Sequence, residues 1–201
     1  MGASLVDHPS VKLSFEGNET MQDATGRAAA VPFTNGAIKA RTDGCADGTF
    51  DIHLLPVTSR TGERAHLTVV DLQPRSQGSV RLASADPAAS PRIEHGFLTE
   101  PEDTELLLGG LAVAHRLAAT EPLRRLGRVA ELDDRERVRS TLAAIFHPVG
   151  TCALGAVVGP DLRVRGVENL YVGDASVMPS ITHANTHLTV LGIAEKLAAS
   201  L

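Results

Sequence analysis

Leu170-Tyr171-Val172-Gly173-Asp174-Ala175-Ser176-Val177-Met178-Pro179 is the stretch on which the fold turns. Three apolar residues read as a short strand, and Gly173-Asp174 ends it in a turn. A strand that stops at such a turn is a common place for a ligand in an α/β layer. Downstream, His183-Ala184-Asn185-Thr186-His187 opens a helix over about 186–199. Asn185 or Thr186 can cap it, and the free N–H groups there favour an anion or an electron-rich ligand. Upstream, Val157-Val158 and Leu162-Arg163-Val164 flank Gly159-Pro160-Asp161 as the arms of a hairpin would. Before them stands Phe146-His147-Pro148-Val149-Gly150-Thr151-Cys152. A His that precedes Pro is pushed out of the α region, so His147 falls just past a helix end. Gly150 permits a close backbone approach.

Further outward the pattern changes to alternation. Val11-Lys12-Leu13-Ser14-Phe15 reads as a strand, as do 49–56, 65–72 and 79–83, with Arg92-Ile93-Glu94 as a short addition. Connections rich in Thr, Ser, Arg and Gly suit an antiparallel sheet. Residues 17–30 read as loop. Thr99-Glu100-Pro101-Glu102 has the features of a capping box and opens a helix ending near Thr120, before Pro122. Leu107, Leu111, Ala114 and Leu117 share one face of it. A second helix starts at Asp133 or Asp134 and carries Val138, Leu142 and Ile145. The fold class is therefore α+β. An antiparallel sheet is expected to carry helices on one face.

Composition excludes several function classes. The chain has 201 residues, enough for one large domain or two small ones. Hydrophobic residues make up 43% and charged residues 21%, as in a globular protein with a real core. A net charge of −5 argues against a nucleic-acid partner held by a basic surface. Aromatics at 3%, with no Trp, leave few stacking platforms for single strands. No apolar run is long enough to span a membrane, and Met1-Gly2-Ala3-Ser4-Leu5-Val6 lacks the basic start of a signal peptide. Cys45 and Cys152 alone do not make a disulfide framework and suit a reducing cytoplasm.

Taken singly, most of these residues have plain readings. His8, His53, His66, His95 and His115 read as surface or satisfied core histidines. Asp174 after a strand is a turn former. His183 and His187 stand at i, i+4, and with His147 and Cys152 would make four zinc ligands. No acid follows the first His as in a metalloprotease motif, so no metal is expected. Ser176 is not in a Gly-x-Ser-x-Gly elbow, which argues against a serine hydrolase.

Taken together, their order is far more specific. The tail reads His147-Pro148-x-Gly150-Thr151-Cys152-x-Leu154-Gly155, then Val157-Val158, then Leu162-Arg163-Val164-x-Gly166-Val167-x-Asn169-Leu170. It continues through Val172-x-Asp174-Ala175-Ser176-Val177-Met178-Pro179, Asn185-Thr186-His187 and Ile193-Ala194-Glu195-Lys196. Over about 50 residues in one register this resembles the C-terminal part of the glucose–methanol–choline (GMC) family of flavin oxidoreductases. Leu72-x-Pro74-x-Ser76-x-Gly78-x-Val80, Asp86-Pro87, Phe97-Leu98 and Asp103 are similar to the family's substrate region. Leu5-Val6-Asp7-His8-Pro9 resembles a family segment that lies near the flavin in complete members.

The resemblance implies oxidation of a small-molecule alcohol with FAD. A hydride leaves the carbinol carbon while a His takes the hydroxyl proton. His147 and His187 are the implied catalytic pair, which leaves open which takes the proton and which orients the alcohol. His183 and Asn185 lie within a small alignment slip of the second position. Asp174 and Ala175 match the positions that approach the cofactor, and His187 also falls near the flavin edge, where a helix N-terminus favours negative charge. Residues 1–145 then form the substrate-binding region, with the first residues near the flavin, and residues 146–201 form the catalytic, flavin-contacting segment. One departure is large: no Gly-x-Gly-x-x-Gly strand–turn–helix is present to hold the ADP half of FAD, so the resemblance implies that the C-terminal strand and helix belong to an incomplete α/β FAD-binding domain. A separately encoded flavin-binding half is the partner this implies, and the apolar face of the last helix, with Leu188, Leu191 and Leu197, would be under-covered without it. The alternatives are a non-catalytic subunit without flavin, and the His/Cys metal protein above. Pocket walls are expected from the sheet around His53 and Leu55.

Overall fold

The computed structural model describes residues 1–27 and 36–201. The elements of the first half are β1 (Ala3–Leu5), β2 (Pro9–Gly17), α1 (Glu19–Arg27), β3 (Ile38–Ala40), β4 (Ile52–Thr58), β5 (Arg64–Asp71), β6 (Gly78–Arg81) and β7 (Arg92–Glu94). Then come α2 (Pro101–Ala118), α3 (Glu121–Arg124), β8 (Gly127–Val129), α4 (Asp134–Thr141), β9 (Ala143–Ala144) and α5 (His187–Ala198). They form two compact units. A sheet unit holds Pro9–Asp71 and Glu102–Ala143, and a tail unit holds Met1–His8, Leu72–Pro101 and Ala144–Leu201. No described helix is long and apolar enough to cross a membrane.

The sheet unit is built on an antiparallel sheet of order β3-β4-β5-β2-β8, with β9 also pairing β2. The alternation in β2 has its expected result: Val11, Leu13 and Phe15 are buried between the more open Lys12 and Ser14. Val11 faces Val69 and Leu13 faces Leu67 across the ladder, and Leu54 meets Val69 from the other side. Pro56 lies in β4 beyond Leu54, where the β3 ladder stops, so its missing N–H costs no bond on that side. Helix α2 covers this core with Leu107, Leu111 and Ala114, all fully buried, while Leu117 is only half-buried. Gly110 makes the close approach. A Cβ there would lie 2.4 Å from Val69 Cγ1 and 3.5 Å from Ile52. The α+β architecture expected from the pattern is the one observed.

Several boundaries differ from the expectation, each for a local reason. Thr99 does not cap α2, because its hydroxyl donates to the Gly96 carbonyl; the Glu100 N–H is taken by Ser76 Oγ instead. Helix α2 ends at Ala118, close to the expected Thr120, and Pro122 sits in the first turn of α3, where its absent N–H is harmless. Helix α4 starts as expected, with Asp133 accepting from the N–H groups of Arg135 and Glu136. It stops at Thr141 and does not reach Ile145. The Thr141 hydroxyl donates to the Arg137 carbonyl and accepts the Lys12 N–H, and Ser10 Oγ donates to Ala143 O. The edge of β2 thus draws the chain out of the helix. Residues 19–27, read as loop, are helical; 28–30 lie outside the described residues.

The tail unit holds a three-stranded antiparallel sheet, β1-β6-β7, and a long run of turns. Val158, Val164 and Val177 form a small core, with Val157, Leu162, Val172 and Ile193 packed on it. The 157–164 segment closes through one bridge, Val158 to Val164, and Tyr171 makes a single bridge to Arg163 in place of a ladder. The N-terminal segment runs along residues 149–151. Val6 and Val149 exchange both backbone hydrogen bonds, at 3.1 and 2.8 Å, and Gly2 N–H donates to Thr151 O at 2.7 Å. Gly150 makes this contact with φ +90°; a Cβ there would sit 2.3 Å from Ser4 O. Helix α5 has no buried residue, and Leu188 is 79% exposed.

Candidate functional site

The pairing of residues 2–6 with 149–151 brings the ends of two loops together. Asp7 and His8 end one, and His147 begins the other. Ile145 N–H donates to His8 O at 3.2 Å. Asp7 is 3% exposed, and its Oδ1 accepts the backbone N–H of His8 at 2.7 Å and of His147 at 2.9 Å. One carboxylate therefore holds both histidine backbones. Phe146, just before His147, takes φ +63° with its ring 86% exposed, an unusual backbone state that re-aims the chain into the site.

The side chains then line up. His147 Nδ1 lies 3.1 Å from His8 Nδ1, with the rings edge to face at 89°. His8 Nε2 is 3.0 Å from the Thr182 carbonyl. On the other side, Asn185 Nδ2 donates to His147 Nε2 at 3.4 Å. The 182–185 loop is shaped by Thr182 Oγ1 donating to Ala184 O at 2.8 Å. Burial lowers the pKa of His147 below the ordinary imidazole value, and the Asp7 carboxylate offsets part of that. A half-buried imidazole that is neutral near pH 7, with one nitrogen secured from behind and the other facing a side-chain amide, can accept a proton from a bound hydroxyl group.

Of the expected residues, the structure joins His147 to Asn185 and not to His187. His187 is exposed as the first residue of α5, and among the described residues no hydrogen bond links it to His147. Asn185, two places earlier, is the side chain beside His147 Nε2, and α5 begins only after Thr186. Asp174 is exposed; its Oδ1 accepts Ser176 N–H at 2.8 Å and caps the single 3-10 turn Ala175–Val177. Cys152 N–H donates to Ser176 O, so its segment is held in the tail core. Among the described residues no group of three or more His, Cys, Asp or Glu side chains is gathered for a metal; the four-ligand alternative over His147, Cys152, His183 and His187 is not assembled. His53, expected at a pocket wall, is buried in β4 with its ring stacked on Phe50, centroids 6.0 Å apart. Asp7 and His8 were not among the candidate residues. Their only signal was the Asp7-His8-Pro9 triplet and its resemblance to a segment near the flavin.

Residues 74–194 match the family model described as GMC oxidoreductase. An uncharacterized GMC-type oxidoreductase of Mycobacterium tuberculosis is 42% identical over 141 residues, covering 62% of this chain and 27% of that protein. An alcohol dehydrogenase (acceptor) of Pseudomonas putida is 34% identical over 145 residues, covering 66% and 26%. Choline oxidase of Arthrobacter globiformis is 37% identical over 141 residues, covering 62% and 26%. Among solved structures, pyridoxine 4-oxidase from Mesorbium loti superposes with a TM-score of 0.85 at 23% identity, over all of this chain and 43% of that one. Formate oxidase of Aspergillus oryzae superposes at 0.84 and 23%, over 98% and 46%. The chain belongs to the GMC oxidoreductase family, and it spans about a quarter of the length of the curated relatives it matches.

Proposed function

We propose that this chain is the substrate-side and catalytic portion of a flavin-dependent oxidoreductase acting on an alcohol. One observation carries the reading: the neutral His147, fixed at its backbone by Asp7, presents Nε2 next to the Asn185 amide. In the reaction His147 Nε2 takes the proton of the substrate hydroxyl, and Asn185 Nδ2 orients the substrate oxygen and steadies its charge as the proton leaves. Asn185 fills the role for which His187 was the first candidate.

The residues fit one end of FAD. Two side chains with donor and acceptor chemistry converge at a partly open surface, the N-terminus of α5 lies two residues beyond Asn185, and Asp174 and Ala175 stand at a tight turn near the surface. FAD, when bound, supplies the acceptor for the substrate hydride. His187 and the N-terminal turn of α5 would lie at its ring edge, and Asp174 and Ala175 at its chain side. No residue pattern in these 201 residues fits the ADP half. We therefore assign residues 1–145 to substrate binding, residues 146–201 to catalysis and flavin contact, and the rest of the flavin site to a further half, covalent or separate. The exposed Leu188 and Leu191 on α5 support that assignment.

The test is turnover of a primary alcohol by the flavin-containing protein. His147→Ala lowers it by roughly 100-fold or more, the usual worth of a positioned general base. Asn185→Ala lowers it by roughly the same order. Unchanged turnover in His147→Ala removes the proposed chemistry.

A further inference from the structure

Building on the reading of His147 as the base, we propose that His8 is a positioning residue that dictates which ring nitrogen of His147 carries the proton, leaving Nε2 bare toward the substrate. The Thr182 carbonyl can only accept, so His8 Nε2, 3.0 Å away, must carry a hydrogen. A neutral imidazole has one N–H, so His8 Nδ1 is then a lone pair. The atom 3.1 Å from that lone pair is His147 Nδ1. Two lone pairs cannot share a contact of this length, so His147 Nδ1 is the N–H donor. Neutral His147 is left with its lone pair on Nε2, which is where the Asn185 amide donates, at 3.4 Å. Three separate contacts agree on one proton arrangement, and its source is a backbone carbonyl, which has no alternative state.

The other arrangement would need an imidazolium at His8. That places a positive charge on a residue 1% exposed. Burial also separates the roles of the two rings. His8 is enclosed and acts through its neighbour, whereas His147 is partly open and meets the substrate. Without the relay, a solvated imidazole would place its hydrogen on either nitrogen, and a fraction of the protein would hold the base in the wrong form.

Nitrogen-15 NMR of the histidine rings in the purified protein tests this, with His147→Gln identifying the His147 signals. In the wild type, His147 Nδ1 resonates as a protonated nitrogen and Nε2 as a bare one. His8→Phe keeps the ring volume but removes both nitrogens, and it shifts His147 toward a mixture of tautomers. His8→Asn restores an acceptor near the Nδ1 position and moves His147 back toward the Nδ1–H form. A wild-type His147 protonated at Nε2 overturns the proposal even if the buried His8 variants do not fold. A folded His8→Phe with an unchanged His147 tautomer overturns it as well. The catalytic reading fails separately: a correct tautomer with full turnover in His147→Ala overturns that reading and with it the positioning role. The wrong tautomer together with lost turnover overturns only the role of His8.

Discussion

At the scale of residues, Asp7 decides the geometry and burial decides the charge. Its carboxylate satisfies two backbone N–H groups, that of the next residue, His8, and that of His147, 140 positions away in sequence. Asp7→Ala leaves both donors without this partner in a buried place, at roughly 1–3 kcal/mol for each group left unsatisfied. We expect a loss of about 2 kcal/mol or more in a urea titration, against little change for Asp7→Asn, which keeps an acceptor oxygen. The pH dependence has a definite sign. Burial lowers the pKa of His147 in the folded protein, and burial together with Lys12 lowers that of His66. The unfolded chain therefore binds protons first on acidification. The stabilising contribution of the two neutral rings is complete above the unfolded value of about 6.5 and is lost as pH falls through the folded values. Urea midpoints should decline between about pH 7 and pH 5, and more shallowly in His147→Gln; a flat or rising profile would contradict the assignment.

Among the elements, α2 and α5 are opposites. Helix α2 lies close on the sheet because position 110 has no side chain. Gly110→Ala drives a methyl group to within 2.4 Å of Val69 Cγ1, in a strand with no spare room. Overpacking of this kind costs about 1–3 kcal/mol, larger than the helix propensity Ala would return; a higher melting temperature in Gly110→Ala would refute the close packing. Helix α5 shows the reverse. Leu188 and Leu191 are 79% and 48% exposed, so Leu188→Ser changes the stability of this chain by no more than about 0.5 kcal/mol. Its effect is expected on association with a flavin-bearing half, measured as weaker co-purification of flavin. Helix α4 adds a point about boundaries. Its N-terminus was legible in Asp133, a local cap, but its C-terminus was set by Lys12 and Ser10 from a distant strand.

For the whole molecule, the two units carry different degrees of completeness. The sheet unit buries Val11, Leu13, Ile52, Leu54, Leu67 and Val69 on its central strands and Leu107 and Leu111 on α2. The tail unit has a three-stranded sheet, a small cluster of Val158, Val164 and Val177, and a helix with no buried residue. Its histidine site is tied by hydrogen bonds from Asp7 and the Thr182 carbonyl. We expect this chain by itself to retain little flavin, because its sequence has no Gly-x-Gly-x-x-Gly turn to cradle a pyrophosphate. The absorbance spectrum of the purified chain measures this directly, and stoichiometric, tightly held FAD would refute it.

The sequence by itself determined the strands around 11–15, 52–56, 65–71, 79–81 and 92–94, the α2 face of Leu107, Leu111 and Ala114, and the family, because alternation, helical spacing and the His-Pro-x-Gly-Thr run are local patterns; the short strands β1, β3, β8 and β9 carry too few alternating residues to show. It could not choose among His183, Asn185 and His187, since all three lie within one turn of a helix start that sequence places only to within a residue or two. Nor could it link Asp7 and His8 to a histidine about 140 positions away. Those choices depend on which backbone groups meet across a paired loop. The Val6–Val149 exchange, the glycine that lets residue 150 approach Ser4, and the carbonyl of Thr182 set which side chains stand beside His147 in three dimensions.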